Sequence, residues 1–277
     1  MFKRIYIELS NYCNLNCVFC TPSTKNNRML TLDEFKRILA EVSLYTKEVC
    51  LHILGEPTIH PNFLEIVKLI NEKGLKVMLS TNGITIPKLE NVLYDVKIDT
   101  WNISLHSTYQ LKDSEKDEYF RTILPFINNY QKKYISTFHL RLWADTNKEI
   151  KANNQIIKHI LFNSYAYKGE VTSRIRLKDR VILAYEEEFL WPSLKTNEYS
   201  DGYCLGGKSH IGILANGEVV LCCLDAKGLT SFGNILKTPL KDILVSEKFQ
   251  KTIKAFKDNK CHLELCKHCT YKKRGMR

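Results

Sequence analysis

The sequence predicts an α/β fold, in which a parallel sheet, open or curled toward a barrel, precedes a small C-terminal unit. Up to about residue 185, strand-like and helix-like segments alternate with short connections, which is typical of parallel strands with helices packed outside. A hairpin pattern and an amphipathic helix pattern follow later in the chain. The length of 277 residues, 44% of them hydrophobic, suffices for one large core and a smaller second unit.

Six apolar segments are predicted to form the strands of this sheet. In chain order they are Arg4–Leu9, Glu48–Leu54, Leu75–Ser80, Thr100–His106, Thr137–Trp143 and Arg174–Leu183. Two helices between them have clear ends, because Thr31 and Glu34 stand in capping-box register and Gly74 stops the next helix. The chemistry of such folds gathers at the carboxyl ends of the strands, so we expect functional residues there.

The character of the chain changes at a polar connector that contains proline and glycine, residues 186–203. After it, Asn216-Gly217 predicts a type I′ turn between the two strands of a β-hairpin. The segment Pro239–Lys257 predicts one amphipathic helix with the proline at its start. The sequence is therefore divided into three parts: residues 1–185, 186–203 and 204–277.

Composition narrows the classes of protein that fit. No run approaches the roughly 18 apolar residues of a membrane span, and the first residues lack the apolar core and cleavage site of a signal peptide. We therefore expect a cytoplasmic protein with reduced thiols and no membrane partner, in which ten cysteines indicate metal ligation rather than disulfides. The formal net charge of +11 indicates an acidic partner, either nucleic acid or a phosphorylated or carboxylated substrate.

Three cysteines lie close together after the first predicted strand. Cys13, Cys17 and Cys20 have the spacing C-x-x-x-C-x-x-C. Four thiolates would close a tetrahedral zinc site or fill an iron–sulfur cluster, whereas three leave one coordination position open. An open position on a metal indicates that another molecule binds there.

This spacing, on a loop after the first strand, resembles the radical SAM superfamily. The resemblance covers roughly residues 4–185 and implies a partial (β/α)6 barrel of the TIM type. It also implies that the three cysteines hold a 4Fe–4S cluster whose open iron binds S-adenosyl-L-methionine. Electrons from an external one-electron reductant, such as flavodoxin or ferredoxin, would cleave that cofactor to a 5′-deoxyadenosyl radical, which abstracts a hydrogen from the substrate.

Residues at successive strand ends extend the resemblance to the cofactor site. The segment L-G-E-P, Leu54–Pro57, is similar to the family's G-G-E-P, with Leu54 as a departure; Glu56 as a helix N-terminal acid is the alternative. Arg141 stands where some relatives place an arginine on the methionine carboxylate, a bidentate task that suits a guanidinium. The cofactor-binding residues implied by the resemblance are Phe19, beside the adenine, and Gly55, Glu56, Pro57, Ser80, Asn82, Ser104 and Arg141.

Six further cysteines lie from Cys204 onward. A hairpin between the first two and a helix before the last ones resemble the auxiliary-cluster extension called SPASM, or twitch in its shortened form. The resemblance implies a small α+β iron–sulfur domain with a second 4Fe–4S cluster, held by Cys204, Cys222, Cys266 and Cys269. A structural zinc site on the same four thiols is the alternative.

The other cysteines have separate expectations. Neighbouring strand residues point to opposite faces, so Cys223 is expected to be a buried apolar residue rather than a ligand beside Cys222, and Cys50 likewise. Cys261 either replaces Cys266 as a ligand or is a free thiol near the cluster. Two histidines between these cysteines are expected to be exposed: His262 and His268.

A cluster beside a substrate radical favours net two-electron oxidation, because the cluster accepts one electron. The predicted protein is therefore a radical SAM oxidoreductase or maturase that oxidises or cross-links a small molecule or a peptide. Such oxidation needs a base, for which His106 is the first candidate, beside His139 and Asp145. The predicted catalytic residues are His106 and Arg141.

Two alternative functions stay open. The net charge and the basic tail Lys272–Arg277 favour an RNA-modifying radical SAM enzyme, although no RNA-binding module is visible. The other alternative is a non-catalytic protein that uses iron–sulfur or zinc for electron transfer or binding. Three tryptophans are expected to pack in the core or at the barrel mouth: Trp101, Trp143 and Trp191.

Overall fold

The structure is a computed structural model that describes residues 1–21, 27–143, 147–185, 190–199 and 202–271. Asp145 and the tail Lys272–Arg277, to which the sequence analysis gives roles, lie outside the described residues. Among the described helices, none is long and apolar enough to cross a lipid bilayer.

The described strands form one nine-stranded sheet. In chain order they are β1 (Arg4–Ile7), β2 (Glu48–Leu51), β3 (Lys76–Thr81), β4 (Thr100–Ser104), β5 (Thr137–Leu142), β6 (Arg174–Lys178), β7 (Val181–Tyr185), β8 (His210–Ile213) and β9 (Val219–Val220). Their order in the sheet is β6-β7-β5-β4-β3-β2-β1-β8-β9. All neighbouring pairs from β7 to β8 are parallel, and the edge strands β6 and β9 are antiparallel. The predicted parallel α/β sheet is therefore confirmed.

Helices connect successive strands of the sheet, and further helices come after the last strand. In the described part of the chain they are α1 (Leu32–Val42), α2 (Phe63–Glu72), α3 (Ile86–Leu93), α4 (Asp113–Lys133), α5 (Lys148–Ser164), α6 (Leu240–Val245), α7 (Glu247–Lys257) and α8 (Glu264–Lys267). Short 3₁₀ helices lie just after two strands, at Pro57–Ile59 and Leu105–Gln110. These two segments belong to the edge of the sheet where the strands end.

Local signals explain where the first helices begin and end. The Thr31 hydroxyl accepts the N–H of Glu34, and the Glu34 carboxylate accepts the N–H of Thr31, so the predicted capping box of α1 is confirmed. Gly74 lies just beyond α2 with φ of +68°, the left-handed conformation that ends many helices. The predicted stop of that helix is confirmed.

The two faces of the sheet carry different residues. On β4, Trp101 and Ile103 are fully buried, and the Trp101 ring contacts Phe126 of α4 and Phe138 of β5. The alternate residue Ser104 belongs to the opposite face and lines a cavity. The apolar face therefore packs on the helices, and the polar face is left for a site.

The predicted sixth strand, Arg174–Leu183, is wrong as a single strand. This segment forms the antiparallel hairpin of β6 and β7. Arg180, between them, has φ of +56°, which an extended strand does not contain. The strand that continues the parallel sheet beside β5 is β7. The first two strands also end earlier than predicted, at Ile7 and Leu51, because the chain then turns into the site loops.

Two local predictions for the C-terminal part are wrong. Of the turn pair, Gly217 has positive φ (+86°) and Asn216 does not, and the Gly217 N–H donates to the Leu214 oxygen at 2.8 Å. The turn is therefore type I followed by a left-handed glycine, not type I′. The predicted helix Pro239–Lys257 is interrupted at Ser246, whose hydroxyl caps α7 by accepting the Phe249 N–H.

The C-terminal hairpin is part of the main sheet, because β8 pairs with β1 in parallel. The buried carboxylate of Glu8 strengthens this junction. It accepts the N–H of Leu54 at 3.2 Å and the N–H of Ala215 at 2.9 Å. Burial raises the pKa of Glu8. One side chain thus connects the end of β1 to the loop after β2 and to the C-terminal hairpin.

Candidate functional site

A cavity of about 890 Å³ opens where the parallel strands end. Both groups of cysteines reach it. The wall includes all three thiols of the first group and four of the six later ones: Cys13, Cys17, Cys20, Cys204, Cys222, Cys223 and Cys269. The predicted site residues on the same wall are Phe19, Gly55, Glu56, Ser80, Asn82, Ser104, His106 and Arg141. Pro57 begins the adjacent 3₁₀ helix.

The loop that carries the first three cysteines is fastened to the end of β2. The Glu56 N–H donates to the Tyr12 oxygen at 2.8 Å, next to Cys13. Gly55 has φ of +72°, and a Cβ atom there would lie 2.2 Å from the Ser10 oxygen and 2.5 Å from the Tyr12 oxygen. Because no side chain fits in that space, glycine at position 55 allows the two backbones to meet.

The first three thiols form a donor set that fits a metal cluster. Burial, followed by the proximity of Cys13 and Cys20, raises the pKa of Cys17 to about 12. The side-chain amide of Gln110 donates to the Cys17 sulfur at 2.9 Å. A cationic cluster would offset the mutual repulsion of three crowded thiolates, and amide donors to sulfur are typical of such centres. The three residues therefore fit a 4Fe–4S cluster with one open iron.

Glu56 is buried, and both of its carboxylate oxygens accept hydrogen bonds from the protein. Its Oε1 accepts the N–H and the hydroxyl of Thr58, at 3.1 and 2.6 Å, and the hydroxyl of Thr81 at 2.7 Å. Its Oε2 accepts the N–H of Asn82 at 2.7 Å. Burial raises the pKa of this carboxyl. Glu56 therefore caps the 3₁₀ helix, as the alternative interpretation states, and contact with the cofactor stays a prediction.

Residues at the end of β3 connect this carboxylate to the first cysteines. The Asn82 side-chain amide donates to the Asn14 side chain at 2.7 Å and lies 3.9 Å from the Cys13 sulfur. The Ser80 hydroxyl is buried and has no hydrogen-bond partner within the described ranges. Ser104, two strands from Glu56, lines the cavity at the end of β4. A ligand in the cavity can reach both hydroxyls.

An aromatic group lies beside the third cysteine. The Phe19 ring centroid lies 5.0 Å from that of His106 and 4.9 Å from that of Trp143. The His106 Nδ1 lies 3.0 Å from the Arg141 oxygen, and burial lowers the His106 pKa to about 3, so its imidazole is neutral at neutral pH. Among the described residues, nothing hydrogen-bonds its Nε2. Its role as a base stays a prediction.

The other predicted bases are less well placed. His139 lies on β5 opposite Asn102 of β4 and does not belong to the described cavity wall. Two of the tryptophans are buried as predicted, Trp101 in the core and Trp143 beside Phe19. Trp191 lines the cavity.

The second group of cysteines is assembled from distant parts of the chain. Cys204 precedes β8, Cys222 follows β9, Cys266 belongs to α8 and Cys269 follows that helix. Burial, together with neighbouring thiols that include Cys204 and Cys269, raises the pKa of Cys222 well above its usual range. The Gly206 N–H donates to the Cys204 sulfur at 3.3 Å. This set of half-buried thiols with an amide donor also fits a metal cluster.

Cys223 packs against the apolar cluster of Ile53, Leu54 and Val220, as expected of an apolar residue, but it is partly exposed rather than buried, and its exclusion from the metal ligands stays a prediction. Strand β9 ends at Val220, so Cys222 and Cys223 lie in a turn, where the alternation of strand faces does not apply. Cys223 also lines the cavity. Cys50 is buried as predicted.

The two C-terminal histidines differ. His262 is exposed as predicted, but His268 is only 8% exposed, so the prediction of exposure is wrong for it. The His268 Nδ1 lies 2.6 Å from the Thr196 oxygen, which ties the connector to the cysteine segment. Because the two residues are far apart in sequence, this contact could not be predicted from local sequence patterns.

Sequence reasoning did not identify three further polar residues of the cavity wall: Tyr6, His52 and His210. The Tyr6 ring contacts the rings of His52 and His210 edge-on, with centroids 5.1 and 5.6 Å apart. Burial lowers the pKa of His52 to about 3 and that of His210 to about 4, so both are neutral at neutral pH. The sequence signal that could have identified Tyr6 is the alternation of side-chain direction along β1. Ile5 and Ile7, on either side of it, are buried on the face that packs on the helices, so Tyr6 lies on the opposite face of the sheet.

Comparisons with known proteins agree with this geometry. The family model described as Radical SAM superfamily matches residues 7–144, and the SPASM model, described as an iron–sulfur cluster-binding domain, matches residues 204–270. An AdoMet-dependent heme synthase from Methanosarcina barkeri is 32% identical over 119 residues, which cover 39% of this chain and 34% of that protein. The match thus spans about a third of the length of that relative.

Two solved structures share the whole architecture. BtrN in complex with AdoMet and 2-DOIA has a TM-score of 0.66 at 18% identity, covering 98% of this chain and 93% of its own. Native anSMEcpe with bound AdoMet and the Cp18Cys peptide has a TM-score of 0.59 at 15% identity, covering 97% of this chain and 86% of its own. At these identities the likeness shows the fold. With a parallel sheet of the partial TIM-like type, three N-terminal cysteines at its mouth and a cysteine-rich C-terminal unit, the chain belongs to the radical SAM superfamily and carries a SPASM-type iron–sulfur cluster-binding domain.

Proposed function

We propose that this chain is an enzyme that uses S-adenosyl-L-methionine to oxidise a small molecule or a peptide by hydrogen abstraction. The observation that carries the proposal is the single cavity wall to which both cysteine groups contribute. When bound, the two clusters supply one-electron chemistry, reduction of the cofactor at the first group and uptake of an electron from the substrate at the second. A substrate in this cavity lies within reach of both.

The strand ends would bind and orient the cofactor. The Glu56 carboxylate is fixed by Thr58, Thr81 and Asn82, so the backbone around it is rigid where the methionine ammonium would lie. Arg141 would bind the methionine carboxylate, since a guanidinium matches two carboxylate oxygens. Phe19 offers an aromatic face for the adenine. Ser80 and Ser104, which both line the cavity, would contact the ribose or methionine part.

Two-electron oxidation of a substrate also releases a proton, which needs an acceptor. His106 is the proposed acceptor because its imidazole is neutral and its Nε2 has no hydrogen-bond partner among the described residues. A pKa of about 3 makes it a weak base in the empty cavity. An anionic substrate group beside the ring would raise that pKa and strengthen the base.

The wall favours a polar substrate. Tyr6, His52 and His210 offer neutral hydrogen-bonding groups, and the volume of about 890 Å³ is that of a cavity for a small molecule or a short peptide segment. The two solved relatives carry one ligand of each class in their descriptions, 2-DOIA and the Cp18Cys peptide. We therefore keep both classes in the proposal.

The test is turnover of the cofactor by anaerobically reconstituted, reduced protein. We expect release of 5′-deoxyadenosine, and faster release when a substrate of the right class is present. An aminocyclitol, a cysteine-containing peptide and a structured RNA serve as three probes. Stimulation by RNA alone would replace the proposed substrate class, and absence of 5′-deoxyadenosine from cluster-loaded protein would contradict enzymatic function.

Binding of the cofactor is tested separately from turnover. Glu56→Gln and Arg141→Ala should each weaken S-adenosyl-L-methionine binding, measured by the change that the cofactor causes in the spectrum of the first cluster. The spectrum without cofactor should stay the same in both variants. A variant with wild-type affinity would exclude that residue from the binding site.

A further inference from the structure

We propose that Tyr6, His52 and His210 form a substrate-binding subsite of the cavity, and that this subsite takes an uncharged hydroxyl or amide group. We refer to these three side chains as the ring subsite. The inference rests on the proposed function in one respect, the position of S-adenosyl-L-methionine at the strand ends from β2 to β5.

The ring subsite is built on three neighbouring strands. Tyr6 belongs to β1, which pairs with β2 on one side and with β8 on the other. His52 follows β2 directly, and His210 is the first residue of β8. The Tyr6 ring is therefore flanked by both imidazoles, which it contacts edge-on. Because the paired strands carry all three rings, a ligand meets one preformed surface.

The ring subsite lies on the side of the cavity that the second cysteine group reaches. Tyr6 packs on the same apolar cluster as Trp191 and Cys223. Two residues proposed for the cofactor, Ser104 and Arg141, lie in the other direction along the sheet, on β4 and β5. A molecule on the ring subsite would therefore lie between the cofactor and the second cluster. A substrate that gives an electron to that cluster needs this position.

Both imidazoles have hydrogen-bonding capacity that the described residues leave unused. The His52 ring lines the cavity and has no hydrogen bond to any described residue, and its Nδ1 is buried. The Nδ1 of His210 lies 2.9 Å from the Ser209 hydroxyl oxygen, which leaves its Nε2 for a ligand. Most buried polar groups in proteins are paired, so an unpaired imidazole at a cavity wall indicates that a ligand supplies its partner.

The cationic residues near the start of β1 add no unpaired charge to the ring subsite. Arg4 lies on the same face of β1 as Tyr6, and its Nε is 2.9 Å from a carboxylate oxygen of Glu48. This ion pair has no net charge. Lys3 is exposed, so water solvates its ammonium group.

The ring subsite itself is uncharged at neutral pH. Burial lowers the pKa of His52 to about 3 and that of His210 to about 4. A neutral imidazole and a phenol each donate and accept hydrogen bonds, and so do a hydroxyl and an amide. A carboxylate or an ammonium group would instead lose its water at this subsite without gaining a counter-charge. The ring subsite therefore selects an uncharged polar group.

The experiment measures ligand binding by calorimetry on the full chain, loaded with both clusters and with S-adenosyl-L-methionine. Glucose is the uncharged probe for a hydroxyl-bearing ligand, and glucuronate and glucosamine are its anionic and cationic counterparts of similar size. N-acetylserinamide and N-acetylserine form the corresponding pair for an amide. The uncharged member of one set should bind about tenfold more tightly than its charged counterparts. The set that binds distinguishes a hydroxyl-rich small molecule from a peptide amide.

Two substitutions remove hydrogen-bonding groups and keep an aromatic ring: Tyr6→Phe and His52→Phe. Each should weaken binding of the favoured probe about two- to tenfold, which corresponds to one neutral hydrogen bond. The affinity for S-adenosyl-L-methionine, measured from the spectrum of the first cluster, should stay at the wild-type value and shows that each variant is folded. Tyr134→Phe is the matched control, because its half-buried ring lies outside the described cavity wall and its hydroxyl donates to the Tyr94 oxygen at 2.9 Å.

Wild-type affinity for the favoured probe in either variant would overturn the ring subsite. Tighter binding of a charged probe that His52→Phe abolishes would overturn it as well, and so would the failure of wild type to bind any probe. A parallel loss of affinity for S-adenosyl-L-methionine would assign the rings to the cofactor. Absence of 5′-deoxyadenosine with probe binding intact would contradict the proposed function and leave the ring subsite standing.

Discussion

The two cysteine groups differ in enclosure and in the number of sulfurs. The first consists of three thiols on one loop, of which Cys13 and Cys20 are exposed. The second gathers thiols from four parts of the chain, and Cys261 and Cys266 among them pack on the core. Under the proposed function, the exposed incomplete set binds a cofactor at an open iron, and the enclosed complete set transfers electrons. The number of ligands and their burial, rather than the chemistry of the sulfur, separate the two roles.

The groups also depend on different parts of the fold. The first is positioned by short backbone contacts at the ends of β1 and β2, such as the Glu56 N–H to the Tyr12 oxygen. The second is positioned by the hairpin, by α7 and by α8. Changes to one group should therefore leave the other intact, and this independence can be tested.

The largest expected effect comes from removal of the first group. The triple variant of Cys13, Cys17 and Cys20 to Ala should lose 5′-deoxyadenosine formation and retain about four of about eight irons, those of the second cluster. Iron analysis and product chromatography give the result. Turnover at the wild-type rate would exclude these thiols as the catalytic ligands, and loss of all iron would show that the two groups are not independent.

The next largest effect concerns the contact that fastens the first loop. Gly55→Ala puts a Cβ atom 2.2 Å from the Ser10 oxygen in a left-handed backbone, so the loop must move and the first cluster should be lost or weakened. Gly74→Ala is the matched control, since its φ is +68° and no atom lies within 4 Å of the added Cβ.

Urea unfolding separates the cost of a left-handed alanine from the cost of the close approach at Gly55. The control should lose about 1–2 kcal/mol of unfolding free energy from the left-handed backbone alone. Gly55→Ala should lose more than that and also lose iron from the first group. Equal losses of stability with full iron content in both variants would show that the close approach at Gly55 does not fasten the loop.

Sequence reasoning found the parts of the site that depend on local spacing. The first three cysteines lie within eight positions, and Gly55 and Glu56 follow a recognisable strand, so their meeting at the sheet edge could be predicted. The contact of His268 with Thr196 depends instead on how α8 and the connector fold over one another. Local patterns carry no information on such packing.

The same limit explains the errors in the fold. An Asp-Arg turn has no Gly or Pro signal, so the hairpin of β6 and β7 reads as one strand. Ser246 interrupts the predicted helix because its hydroxyl caps a new helix. A serine inside a continuous helix can have the same kind of neighbours in the sequence, so the sequence does not distinguish the two cases. The alternation of strands and helices was predictable, since it repeats five times from β1 to α5, whereas each single turn has little redundancy.

A smaller effect is expected at Glu8, which connects the two regions. Glu8→Gln presents an amide in place of one carboxylate oxygen, so a buried N–H of Leu54 or Ala215 loses its acceptor at a cost of about 1–3 kcal/mol. Burial raises the folded-state pKa of Glu8 above the usual value for a glutamate. Its contribution to stability is therefore full below the unfolded pKa and is lost as pH rises through the folded pKa.

The difference in unfolding free energy between wild type and Glu8→Gln should accordingly shrink as pH rises above the pKa of a glutamate in the unfolded chain, about 4.3. Comparing the two proteins cancels other buried carboxyls, such as Glu56, whose pKa is raised in the same direction. Denaturant titration at a series of pH values measures the slope. A difference that grows with pH would mean that the hydrogen bonds outweigh burial and hold the Glu8 pKa low.

The smallest expected effect is on the reduction potential of the first cluster alone. The Gln110 amide donates to the Cys17 sulfur, and its Oε1 accepts the Asn16 N–H at 3.1 Å. An N–H donor to a ligating sulfur stabilises the reduced cluster, so Gln110→Leu should make this potential more negative. Gln110→Glu keeps the acceptor for Asn16 but replaces the donor with a negative charge, so its potential should be at least as negative.

EPR-monitored redox titration measures both clusters in one sample, and the second cluster, with no contact to Gln110, is the internal control. If Gln110→Glu restores the wild-type potential, then the contact with Asn16, and with it the position of the loop, sets the potential instead of the donor to sulfur.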